Sequence, residues 1–263
     1  MRKPLVAGNW KMNGSFELTN ALIGSIIDQI NSEDNDESGN DDAIAEPNVD
    51  ILVCPPYVYL ETAARALENT PLKLGAQNVS SESPGAFTGE ICAFMLKDLT
   101  CSYVIVGHSE RRNLYAETDT IVGRKFKAAA EAGLNPILCI GESLDERAAG
   151  NAISVIKRQL DAVIDIAGIN AFAKAVIAYE PVWAIGTGKT ASPRQAQDIH
   201  QEIRQMLAER SGKIADDIRI LYGGSVKPGN AEEIFAMPDI DGGLIGGAAL
   251  NAADFVKIIE SAA

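Results

Sequence analysis

The sequence predicts a single-domain α/β protein, a closed (β/α)8 barrel. Three observations predict it. Eight short apolar, β-branched runs alternate with segments of helical character. The runs are nearly continuous in apolar character, as strands covered on both faces are. No linker divides the alternation across the 263 residues, a length that one such barrel fills. A doubly wound open sheet satisfies the same alternation, and pattern alone leaves it standing.

The expected strands are LVAGN (5–9), VDILVC (49–54), LKLGAQ (72–77), YVIVGH (103–108), NPILCI (135–140), AVIAYE (175–180), IRILYG (218–223) and DGGLIG (241–246). Between the first two, Ser15 can cap a helix carrying Leu18, Leu22, Ile23, Ile26, Ile27 and Ile30 at three-and-four spacing. Ser192-Pro193 signals another start, with Ile199, Ile203, Met206 and Leu207 on one face and Gly212 as its stop. The connection 78–102 is the least helical, and SSESPGAFTG (80–89) reads as a long loop.

The chain carries a formal charge of −13, and much of it is local. Eight acidic residues and no Lys or Arg fall between Asn31 and Asp50; without them the acidic excess drops from 13 to 5. That stretch reads as a solvated insertion between the first helix and the second strand. In a barrel it belongs on the amino-terminal face, away from the chemistry. Such a balance disfavours nucleic acid and anionic membranes as partners. No apolar run is long enough to span a membrane, and no signal peptide is expected. Cys54, Cys92, Cys101 and Cys139 lack metal-ligand spacing, so no metal is expected. They read as buried free thiols of a cytoplasmic protein.

Polar residues gather at the carboxyl ends of the expected strands, where barrel enzymes put their active sites. Asn9 and Lys11 follow the first, Gln77 and Asn78 the third, and His108, Ser109 and Glu110 the fourth. Glu180 closes the sixth, Gly223-Gly224-Ser225 follow the seventh, and Gly246-Gly247 close the eighth. Two glycine pairs in consecutive loops offer convergent backbone N–H groups, which suit a phosphate. In AYEPVWAIGTGKTAS (178–192), Gly188-Lys189-Thr190 suggests a P-loop. Trp183, however, stands where that loop needs its first glycine. The segment reads better as a lid, with Pro181–Trp183 and Lys189–Ala191 as hinges, closing over the base Glu180. His108 opens a helical segment, a position that favours a neutral imidazole. His200 reads as an uninvolved residue of a surface helix.

GNWKMN (8–13), AQNVS with GAFTGE (76–90), VGHSERR (106–112), the 178–192 segment, YGGSV (222–226) and GGLIGGAAL (242–250) together resemble the triosephosphate isomerase family. The resemblance spans nearly the whole chain except the acidic insertion. It implies the TIM barrel fold and interconversion of dihydroxyacetone phosphate and D-glyceraldehyde 3-phosphate, in glycolysis and gluconeogenesis, without cofactor. On it, Glu180 is the base, His108 moves protons between the substrate oxygens, and Lys11 stabilises negative charge with help from Asn9. Gly186, Ser225, Gly246 and Gly247 bind phosphate, while Glu110, Ser109 and Cys139 support the site. Gln77 and Thr88 belong to a loop that reaches a partner subunit, so a homodimer is implied. Ala249 departs from the family's usual Ser, with its N–H still free to face phosphate. Another phosphate-binding barrel enzyme, such as an aldolase or a tryptophan-pathway isomerase, is one rival, though for an aldolase Lys174 precedes the sixth strand at the wrong end; an inactive phosphate-binding scaffold is the other.

Overall fold

The computed structural model describes residues 2–34, 48–184 and 190–263. Eight parallel strands close into a barrel in sequence order. They are β1 (Leu5–Asn9), β2 (Asp50–Cys54), β3 (Lys73–Ala76), β4 (Tyr103–Val106), β5 (Asn135–Ile140), β6 (Val176–Tyr179), β7 (Arg219–Tyr222) and β8 (Gly242–Ile245). Closure comes from β1 pairing with β8, Leu5 opposite Gly242 through Gly8 opposite Ile245. Gly242 is required there. Its φ is 117°, and a Cβ would stand 2.1 Å from the carbonyl oxygen of Leu5.

Every strand lies within its expected run. β1 takes in Asn9 as its last residue, while Gln77, His108, Glu180, Gly223 and Gly246 lie just past the ends of their strands. Inside, alternate residues meet in one cluster that includes Leu5, Ala7, Leu52, Tyr103, Ile137, Cys139, Ala178 and Leu221. The outward residues pack with the helices into a second, larger core.

The helices are α1 (Phe16–Asp34), α2 (Leu60–Ala66), α3 (Ala93–Asp98), α4 (Ser109–Leu114), α5 (Asp119–Glu131) and α6 (Leu144–Ala148). They continue with α7 (Ala152–Ala167), α8 (Pro193–Ala208), α9 (Gly212–Asp217), α10 (Ala231–Phe235) and α11 (Ala252–Glu260). Ser15 does start α1, its Oγ accepting the N–H of Leu18 at 3.0 Å. Leu22, Ile23 and Ile26 are buried, but Leu18 remains exposed. Ser192 forms a reciprocal capping box with Gln195 at the start of α8.

Two expectations need correction. Gly212 does not stop α8; that helix ends at Ala208, and Gly212 opens α9 behind its cap Ser211. The 78–102 connection, expected as the least helical, holds one short helix, α3, after the 80–89 loop. The acidic stretch is narrower than 31–50, since α1 runs to Asp34 and Asp50 begins β2. Its middle, 35–47, lies outside the described residues. Asp50 is no solvated insertion residue. It pairs with Lys3 at 3.0 Å, Lys73 at 2.9 Å and Arg219 at 2.8 Å. Burial opposes its charge, but these cations hold its pKa at about 2. This network seals the amino-terminal face, together with Arg204, which bridges Asp239 at 2.7 Å and Asp241 at 2.8 Å.

His200 is also misjudged by its helix. It faces inward, fully buried, edge-on to Tyr179 at 5.8 Å between centroids, with Nδ1 3.1 Å from the Asp239 carbonyl oxygen. Burial lowers its pKa to about 4 from 6.5. An unfolded chain therefore takes up this proton first as pH falls. Its contribution is complete above pH 6.5 and declines toward pH 4. From pH 7 to 5 the loss is about 2 kcal/mol. His108, the other histidine, titrates with the opposite sign, so subtraction of a variant isolates the effect. Denaturant unfolding at both pH values is expected to show His200→Gln lacking that increment; identical pH profiles for variant and parent would refute it.

Candidate active site

Four strand ends carry the site's reacting groups and the loops that hold them. After β1 the chain turns through Lys11 in a left-handed conformation, φ 52°. Such a backbone costs a non-glycine residue of order 1–3 kcal/mol and needs outside support. Asn9 supplies part of it, its Oδ1 accepting the Lys11 N–H at 3.0 Å. Gln77 supplies the rest. Its Nε2 donates to the carbonyls of Lys11 and Cys54, both at 2.8 Å. Gln77, expected with Thr88 in a partner-facing loop, thus works within its own chain. Thr88 does lie in an exposed loop, residues 82–90. The Lys11 ammonium reaches Glu110 Oε1 at 2.6 Å.

His108 caps α4. Its Nδ1 accepts the backbone N–H of Glu110 at 3.2 Å, and a nitrogen that accepts an amide proton carries none itself. The remaining proton sits on Nε2, 2.9 Å from Glu180 Oε1. The Ser109 N–H donates to Glu180 Oε2 at 2.8 Å. Glu180 is only 2% exposed, and both its carboxylate oxygens are occupied. Its own N–H donates to the Ile140 carbonyl at 2.8 Å. That approach requires Gly141, where a Cβ would stand 1.7 Å from the Glu180 carbonyl oxygen.

The electrostatics follow from these contacts. Burial works against the Glu180 carboxylate, but His108, the Ser109 N–H and Lys11 outweigh it and hold its pKa below the usual value. Burial also works against a charged His108, yet Glu180 and then Glu110 raise its pKa above the ordinary imidazole value, with Lys11 opposing. Glu180 contributes more to that rise than Glu110, while burial and Lys11 favour the neutral ring. Cys139 is fully buried beside these groups. Burial and then Glu180 push its thiol well above the normal range, so it remains protonated.

A cavity of about 450 Å³ opens over the barrel, lined by Asn9, Lys11, His108, Glu180, Ser225 and Gly246 among others. Gly247 borders it and begins a 3-10 turn, Gly247–Leu250. The expected catalytic and phosphate-binding residues Asn9, Lys11, His108, Glu180, Ser225, Gly246 and Gly247 therefore share one space, while Ser109, Glu110, Cys139, Gln77 and Thr88 are not in its lining; Gly186 and the expected lid centre, 185–189, lie outside the described residues. Ala249 is a correction. Its N–H is already donated to the Gly246 carbonyl at 2.9 Å, and its side chain is buried against Gly8. Lys174 is exposed in the 3-10 turn before β6, remote from the cavity as expected.

One residue was missed. Glu142, fully buried after β5, anchors Tyr179 and the segment Pro181–Trp183, expected as a hinge. Its Oε1 accepts from Trp183 Nε1 at 2.9 Å, Tyr179 OH at 3.1 Å and Arg147 at 3.0 Å. Its carbonyl accepts the Val182 N–H at 3.1 Å. Arg147 also lies over the Trp183 ring, 4.7 Å from its centroid. The rule that found the other residues, a polar group just past a strand, applies equally to Glu142.

The family pattern described as Triosephosphate isomerase matches residues 4–262. Curated relatives of that name agree. The protein of Psychromonas ingrahamii is 52% identical over 262 residues, covering 100% of both chains. Those of Dechloromonas aromatica and Thiobacillus denitrificans are each 53% identical, again over 100% of both chains. With agreement running from end to end on top of the barrel and its rim, the chain belongs to the triosephosphate isomerase family.

Proposed function

We infer that the chain interconverts dihydroxyacetone phosphate and D-glyceraldehyde 3-phosphate by proton transfer through an ene-diolate. The observation that carries this reading is the convergence of Glu180, His108 and Lys11 on one cavity that also holds Ser225, Gly246 and Gly247. Glu180 leaves His108 and Ser109, takes a proton from the carbon beside the carbonyl, and returns it to the neighbouring carbon. Its burial keeps the carboxylate poorly hydrated, which favours proton abstraction. His108 donates from Nε2 to a substrate oxygen and exchanges protons between the two oxygens as a neutral ring. This pairing of a carboxylate base with a neutral imidazole is the pattern the family itself exemplifies. Lys11 adds positive charge where the oxyanion develops, and the Asn9 contact to its backbone holds it in place. Ser225, Gly246 and Gly247 bind the phosphate, with Gly186 of the lid completing the grip.

The same reading makes the chain a cytoplasmic homodimer. All four cysteines are unpaired and buried, which suits a reducing compartment. Met12, Phe16 and Val58 are exposed on the rim after β1 and β2, and Phe87, Phe94 and Met95 around the Thr88 loop. Apolar side chains gathered in this way suit contact with a second copy. No helix among the described residues is long and apolar enough to cross a membrane.

Three outcomes test this reading. Glu180→Gln is expected to stop hydrogen exchange between solvent and substrate and to lower kcat on the order of 10³-fold, while inorganic phosphate still binds. Retained exchange, followed by NMR in heavy water, would remove Glu180 from the role of base. Lys11→Met is expected to cost about 3 kcal/mol of transition-state stabilisation or more; kcat/KM within tenfold of the parent would contradict it. Light scattering is expected to give twice the 27.9 kDa chain mass, with Thr88→Arg shifting toward the monomer and losing turnover. A fully active monomer would sink the dimer.

A further inference from the structure

Among the described residues, the cavity lining holds one cation with no part in the chemistry above. Lys227 lines it together with Ser225, Gly246 and Gly247. Its side chain is exposed and, among the described residues, forms no ion pair. Lys11, the other lysine among the described lining residues, is bound to Glu110. The described lining also carries two carboxylates, Glu180 and Asp254, and the chain as a whole carries −13. A phosphate dianion approaching this mouth therefore meets, in Lys227, a cation not already bound to a carboxylate.

We propose that Lys227 is the electrostatic guide for the phosphate end of the substrate. It places a free positive charge on the solvent side of the cavity, draws the dianion in and tightens its hold, without contacting the reacting carbons. The backbone gives this charge a fixed base. The Lys227 N–H donates to Asn230 Oδ1 at 2.7 Å, and the Lys227 carbonyl accepts the N–H groups of Asn230 and Ala231, both at 3.1 Å. Asn230 Nδ2 donates to the Ser225 carbonyl at 3.2 Å. The root of Lys227 is thereby tied to Ser225, one of the phosphate-binding residues. The inference rests on the functional reading above and adds a residue that acts through charge alone. An interaction of this kind, between exposed groups, must fade with salt, because screening acts over about 10 Å at 0.1 M.

The test compares the parent chain with Lys227→Gln, Lys227→Glu and Lys227→Arg at low and high ionic strength. Inorganic phosphate binding is measured by calorimetry, and kcat and KM with both triose phosphates. At about 0.01 M ionic strength, Lys227→Gln is expected to weaken phosphate binding and lower kcat/KM about three- to fivefold, with kcat within about twofold. Lys227→Glu loses more, Lys227→Arg matches the parent, and the differences shrink toward unity near 0.3 M, about twice physiological ionic strength. Equal affinity and kcat/KM for Lys227→Gln at low salt would overturn the proposal. So would a loss that persists at high salt, or one that Lys227→Arg fails to restore, since either marks a packing role. Phosphate binding is read without turnover. A parent chain that binds phosphate but does not isomerise would thus refute the functional reading and leave the guide intact.

Discussion

A buried carboxylate sets the terms for the rest of this structure. Glu180 is almost wholly removed from water, and an isolated ion there would be far too costly to keep charged. Two donors from one turn of chain compensate it, the His108 imidazole and the Ser109 N–H. Their positions depend on the end of β4, and that of Glu180 on the end of β6. Gly141 and Gly223 let neighbouring backbone and side chain approach closely enough for the carboxylate to fit. Both carboxylate oxygens are thereby occupied at the edge of the cavity that Glu180 lines.

Strain and support are distributed around that group. Lys11 keeps a left-handed backbone only because Asn9 and Gln77 brace it from the same chain. The segment Pro181–Trp183, expected as a hinge, is no loose tether: Glu142 clamps Trp183, Tyr179 and the Val182 N–H onto the end of β5. The opposite face of the barrel is built differently. There Asp50, Arg219, Arg204, Asp239 and Asp241 form closed ion-pair networks. Stability and reactivity are thereby assigned to opposite ends of the strands, and substitutions at one face need not disturb the other.

The strands were legible because each is covered on both faces, which forces a run of apolar residues that few other structures require. The site was legible because polar residues directly after such runs stand on the barrel rim. Glu180, His108 and Lys11 needed nothing beyond that register. The misreadings share a cause of another kind. His200 lies in a polar helix, yet it turns inward toward Tyr179 and Tyr222. Gly212 opens a helix because Ser211 caps it, which local glycine statistics do not register. Leu18 fits the apolar stripe but remains exposed. The Ala249 N–H is consumed by the turn it helps to form.

By itself, then, the sequence determined the order of the strands and placed the residues proposed to react at one end of the barrel. These depend on local pattern and chain direction, which no distant contact alters. Only the tertiary structure decided which groups brace them. Gln77 meets Lys11 across 66 positions and Glu142 meets Trp183 across 41. Contacts of that range are set by barrel closure, which brings the ends of separate strands together and leaves no periodicity in the chain to announce it.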